Sequence, residues 1–173
     1  DIVMSKSDIS IFTMDDPRFE DVDSIIDEMV GDKKDYIRIV DREEAINYAH
    51  LRNVRVFVTL NTIVFENELD EVYQMIDELA KMHVDAIIVQ DLAVLNYAKN
   101  NYKSLEVHAS TQMGIDDVNG AKFLKQLGVK RIVLAPESMR KSTLRALDSQ
   151  SISPFLWKAV LNEGTGPAIA SLT

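Results

Sequence analysis

Apolar positions along the middle of the chain switch repeatedly between two rhythms, short β-branched runs and stripes at three- to four-residue spacing. That alternation predicts βα units on a parallel sheet, so the expected fold class is α/β. VRVFVTLN (Val54 to Asn61) reads as a buried strand, and Leu69, Val72, Tyr73, Ile76, Leu79 and Ala80 form the stripe of the helix that follows. Asn67 is the expected N-cap of that helix, with Glu68, Asp70 and Glu71 in its first turn. DAIIVQD (Asp85 to Asp91) is the next strand and LAVLNYAKNNY the next helix. LEVHAS (Leu105 to Ser110) then leads into a helix marked by Val118, Ala121, Leu124 and Leu127, which Gly128 stops. RIVLA (Arg131 to Ala135) is the fourth strand. Starts at 54, 85, 105 and 131 are separated by 31, 20 and 26 residues, about one βα unit each, with no motif repeated.

The ends carry weaker patterns. DISIFTM predicts a strand before DDP, and Phe19, Val22, Ile25, Ile26 and Met29 mark a helix that begins near Pro17 and ends at Gly31. YIRIV (Tyr36 to Val40) is a further strand, followed by a helix from Glu43 to His50. Beyond Pro136 the pattern decays: STLRALD reads as a helix, FLWKAVL as a short apolar run, and NEGTGPAIASLT as loop or frayed terminus. Six strands are expected, fewer than a closed eight-stranded barrel needs.

Polar residues gather at the C-terminal ends of the strands, where parallel α/β folds bind ligands. They are Thr59, Asn61 and Thr62, then Gln90 and Asp91, then His108, Ser110, Thr111 and Gln112, then Glu137. Loops and caps account for about half of them, Asp91 and Thr111 first. Gln90 and His108 follow apolar strand residues and cost free energy if buried without a partner. His50 and His83, at or after helix ends, are expected at the surface. His108 and Ser110 share a strand face, yet residues two apart point in parallel with Cα atoms roughly 6 to 7 Å apart, so a Ser–His nucleophilic pair is not expected. No G-x-S-x-G, H-E-x-x-H, P-loop or G-x-G-x-x-G motif occurs, and no metal ligand set is assigned.

Composition narrows the classes. The 173 residues, 46% hydrophobic and 27% charged, suit one domain or part of a larger α/β domain. A formal charge of −9 argues against non-specific nucleic-acid binding, and Lys122, Lys125, Lys130 and Arg131 read as a solvated helix face. Without cysteine the chain has no disulfide, thiol nucleophile or thiolate ligand. No run approaches the roughly eighteen apolar residues of a membrane span, and no signal-peptide layout is seen, so the expectation is a cytoplasmic protein away from the membrane.

The segments AHLRNVRVFVTLNT, VDAIIVQD, LEVHASTQM and LGVKRIVLA resemble peptidase family U32, the collagenase-like proteases, over about residues 43–137. The resemblance implies consecutive βα units of a TIM-barrel-like fold, here an incomplete barrel. It also implies proteolysis, or, as in other relatives, hydroxylation of RNA bases or of the ubiquinone ring, some with a cysteine-held iron–sulfur cluster. Residues 1–42 are then a divergent N-terminal βα region and 138–173 an unassigned tail. Pro136–Glu137 stands where the family has Arg-Glu, and the cysteine signature is absent, which leaves the cofactor unknown.

Three functions are weighed. In a peptidase, His108 is the base and Glu137 the second acid–base group, with Asn61, Gln90, Ser110 and Gln112 binding a peptide or small-molecule substrate. In an RNA-modification factor the same rim holds a base or a small hydroxyl donor. In a non-catalytic fragment, open sheet edges pair with another copy to give a homo-oligomer.

Overall fold

The computed structural model of the chain describes residues 11, 12, 24, 26–28, 36–133 and 168–171. Glu137, Pro136 and the helix expected at STLRALD lie outside these residues, as does most of the expected 17–31 helix, of which Ser24 and Ile26–Glu28 are helical.

Four βα units form as the periodicity predicts. Strand β1 is Ile11–Phe12 and β2 is Ile37–Arg38, joined as a parallel pair with Ile11 opposite Ile37. Helix α1 (Arg42–His50) leads to β3 (Val56–Leu60), α2 (Leu69–Lys81) to β4 (Ala86–Val89), α3 (Leu92–Asn101) to β5 (Glu106–Ala109), and α4 (Val118–Gln126) to β6 (Arg131–Ile132). A final strand, β7, spans Ala168–Ser171. The main sheet is parallel throughout, in the order β6-β5-β4-β3-β7. From β3 to β6 each sequential strand lies beside the last, the arrangement of an incomplete βα barrel, and β7 lies on the other side of β3.

Short acidic side chains begin three of the helices. Asp41 accepts the Glu44 backbone N–H at 2.8 Å, Asp91 those of Ala93 and Val94 at 2.7 and 3.2 Å, and Asp117 those of Asn119 and Gly120 at 2.7 and 2.9 Å. Each satisfies donors that the first helical turn leaves open. Asn67 is not a cap: it sits inside a 3-10 turn, Glu66–Glu68, that precedes α2. The Glu68 carboxylate instead accepts the Phe65 N–H at 2.9 Å, so the tighter turn moves the helix start past the expected cap. Gly128 stops α4 at φ +86°, a left-handed conformation that glycine adopts without steric cost.

All helical stripes converge on one face of the sheet. Val56, Val58, Leu60, Ile87, Val89, Val107 and Ala109 are buried there against Ile46, Ile76, Leu79, Leu95, Ala121 and Leu124. The opposite, inner face carries a separate small cluster of Phe57, Ala86 and Ile88. On the helical layer Tyr97 stacks on Tyr73 at 4.0 Å, and the Tyr97 and Tyr102 hydroxyls donate to Asp77 at 3.0 and 2.7 Å, tying α3 and its end to α2.

Two expectations need correcting. NEGTGPAIASLT is not all loop, because Ala168–Ser171 pairs with β3 in the register Val56 to Ala168; a four-residue run after Gly and Pro is too short a pattern to read as a strand. His50 is not a free surface group: it is half-buried and bonds Asp85 at 3.0 Å, while Asp85 also accepts the Val56 N–H at 2.7 Å. That carboxylate ties the end of α1 to the start of β3. His83 is exposed, as expected, at φ +58°. Among the described residues no helix is long and apolar enough to cross a membrane.

Candidate ligand-binding face

Parallel register stacks the inner-face residues in layers. Thr59 pairs with Ile88, Ile88 with His108, and His108 with Arg131; one layer below, Phe57 pairs with Ala86 and Ala86 with Glu106. Partners in a ladder point to the same side, so these seven strand positions bring one imidazole, one guanidinium and one carboxylate around an aromatic ring.

His108 is the centre of this arrangement, with 1% of its surface exposed. Its ring meets Phe57 edge to face at 4.9 Å, and its Nε2 lies 3.4 Å from the Glu106 carboxylate. Burial, then the charges of Arg131 and Arg55, push the imidazole down to about pKa 4 against a smaller upward pull from Glu106. At neutral pH it is uncharged. Since a carboxylate accepts only, Nε2 carries the proton and Nδ1 the lone pair. Nδ1 is buried without a hydrogen-bond partner.

The Arg55 and Arg131 guanidinium carbons stand 5.2 and 5.3 Å from the Phe57 ring centroid, within cation–π range. Arg131 is not part of the helix-face cluster expected with Lys122, Lys125 and Lys130. It opens β6 and is half-buried, whereas those three lysines are exposed. Burial and the neighbouring Arg55 lower its pKa, and Glu106 opposes them. Strand alternation puts Arg55 and Phe57 on the face of Thr59, and Glu106 on that of His108, but their meeting depends on the register between strands.

The rim residues lie above this layer. Ser110 is buried, and its hydroxyl accepts the Gln112 N–H at 3.3 Å, capping a 3-10 turn over Thr111–Met113. Ser110, not Thr111, is therefore the cap. Asn61 and Gln90 are half-buried beyond β3 and β4, and Gln112 is exposed. Among the described residues His108 has its side-chain hydrogen bond with Glu106 and none with Ser110. A cavity of about 590 Å³ opens at the other end of the sheet, with Arg55, His83, Asp85, Tyr102 and Glu106 on its wall. An iron–sulfur cluster does not fit the residues present: the chain has no cysteine, and no group of three His, Asp or Glu among the described residues is placed to hold a metal.

Comparison with known proteins agrees with the fold. The chain is 42% identical over 97 residues to the "23S rRNA 5-hydroxycytidine C2501 synthase" of Escherichia coli (strain K12), which covers 56% of this chain and 14% of that protein. It is 35% identical over 95 residues to the "tRNA hydroxylation protein P" of Helicobacter pylori, which covers 55% of this chain and 22% of that protein. The chain thus spans under a quarter of the length of either relative. The solved structure of the U32 peptidase Mk0906 superimposes with a TM-score of 0.55 at 16% identity, over 78% of this chain and 53% of that one, and so shares the fold. The model of Peptidase family U32 matches residues 33–151, well over half of the chain, from ahead of β2 to past β6. The chain belongs to peptidase family U32.

Proposed function

We propose that this chain is part of an RNA-hydroxylation protein of family U32, in which the inner face and its rim hold a nucleobase or a small hydroxyl donor. Asn61, Gln90, Ser110 and Gln112 bind at the rim, and His108 orients the ligand from below. The observation that carries the reading is the state of His108, which is enclosed, uncharged and held at Nε2 by Glu106. A base for peptide hydrolysis has to reach a water or a nucleophile at hydrogen-bond distance. With its pKa near 4 the imidazole is a weak base for that task at neutral pH and is better suited to fixing a heterocycle or a hydroxyl by a hydrogen bond. Relatives at 42% and 35% identity carry RNA-hydroxylation names, which supports the same reading. RNA as partner goes with a cytoplasmic location. Among the described residues β6 and β7 are the edges of the sheet, which favours a second copy or further chain beside it.

Proteolysis is the second reading, favoured by the imidazole–carboxylate contact of His108 and Glu106, which is the form of a general-base dyad. Glu137 serves there as the second acid–base group.

One experiment separates the two. Labelled tRNA and ribosomal RNA fragments are titrated against the purified chain over rising salt, with a gelatin digest in parallel. The first reading expects RNA binding that weakens with salt, as phosphate contacts do, and intact gelatin. Gelatin cleavage that disappears in His108→Ala reverses the order of the readings, and no RNA affinity at low salt removes the first.

A further inference from the structure

Charge on the inner face does not balance. Arg55 and Arg131 approach the same aromatic ring, and the carboxylate acting on both His108 and Arg131 is Glu106, already engaged with His108. Among the described residues neither guanidinium takes an ion pair or a hydrogen bond. Positive charge is therefore in excess around an uncharged imidazole, and the half-buried Arg131 is partly withdrawn from water without a bonded carboxylate, a state that an anion would relieve.

A second observation concerns the imidazole. Buried polar atoms almost always have a partner, and Nδ1 of His108 has none. With the proton on Nε2 facing Glu106, Nδ1 accepts, so its missing partner is an O–H or N–H donor. The cavity of about 590 Å³ at the N-terminal ends of β3 to β5 has Arg55 and Glu106 on its wall, so these two charged groups meet solvent at this end of the sheet.

We propose that the inner face around Phe57 binds a terminal phosphate group, whose anionic oxygens join Arg55 and Arg131 and whose protonated oxygen donates to His108 Nδ1. Phosphate unites the two requirements: oxygens that match the guanidinium fork, and an O–H retained near pH 6 by its second ionisation. The site is distinct from the rim of Asn61, Gln90, Ser110 and Gln112, and it holds whether the rim serves RNA or peptide. Inorganic phosphate and a phosphate monoester share this chemistry.

The test is a nitrogen-15 NMR titration of histidine-labelled full chain at pH 6 and constant ionic strength, with inorganic phosphate, a ribose phosphate monoester, sulfate and acetate as probes. Phosphate is expected to shift His108 Nδ1 saturably, with sulfate, which lacks the O–H, about tenfold weaker. Tighter binding of the monoester identifies an esterified ligand, and equal binding identifies the free ion. Arg55 is exposed, so Arg55→Gln is expected to fold; it should weaken phosphate about tenfold, with partial recovery in Arg55→Lys, which keeps the charge without the fork. Without phosphate, Arg55→Gln should melt no lower than the parent, because it removes a like charge. No saturable shift with phosphate, an equal response to all four probes, or unchanged affinity in Arg55→Gln would overturn the proposal.

Discussion

The two faces of the same strands are built to different rules. On the outer face Val56, Val58, Leu60, Ile87, Val89, Val107 and Ala109 are apolar and covered by four helices. On the inner face the alternate positions Arg55, Phe57, Glu106, His108 and Arg131 mix charge, an aromatic ring and an imidazole. Strands of a parallel sheet covered on both faces usually read as continuous apolar runs. Here one face breaks that run with a buried imidazole and a half-buried guanidinium, whose desolvation works against folding, and perturbed groups of this kind cluster at binding sites.

Breaking the outer face should have the largest effect. Ile87 is fully buried among apolar neighbours, so Ile87→Ala is expected to cost about 3 to 4 kcal/mol in urea unfolding. Acid distinguishes the inner face next. His108 has its pKa lowered from 6.5 to about 4, so at pH 7 it is neutral both folded and unfolded and contributes nothing to pH dependence. As pH falls through 6.5 the unfolded chain takes up the proton first, and stability drops by roughly 3 kcal/mol by pH 4. Parallel urea titrations should find this part of the acid slope missing in His108→Leu.

Smaller effects test how the two faces are joined. Asp85→Ala removes the acceptor shared by Val56 N–H and His50, and should cost about 2 kcal/mol by thermal unfolding with little change at the inner face. Gly128→Ala places a Cβ at positive φ and 3.0 Å from the Lys99 side chain, for about 1 kcal/mol by the same measurement. A Gly128→Ala loss as large as that of Ile87→Ala would show that helix ends, not the outer core, limit stability.

Four βα units were legible because their apolar rhythms are long and each ends in a turn signal. Asp91 was legible as a cap, since a lone acid before an apolar stripe has few other uses. Asn67 was not, because cap identity depends on where the turn begins, and Glu68 reached back to Phe65 instead. Arg131 was legible as the first residue of the fourth strand, but it does not share a solvated face with the three lysines, because side chains alternate along a strand and its own turns to the inner face, half-buried. His108 drew notice as a polar residue in an apolar strand, whereas Arg55 and Glu106 stand at strand starts, where charge is ordinary. Only register between strands brings those three together. His50 and Asp85, far apart in sequence, meet for the same reason.

The most direct measurement is a pH titration of the His108 ring nitrogens by nitrogen-15 NMR in the intact chain. The account predicts a neutral imidazole, with the proton on Nε2, down to a midpoint near pH 4. A midpoint at the ordinary 6.5 would contradict it, because the ring would then be open to water and the inner face would be no more than another surface.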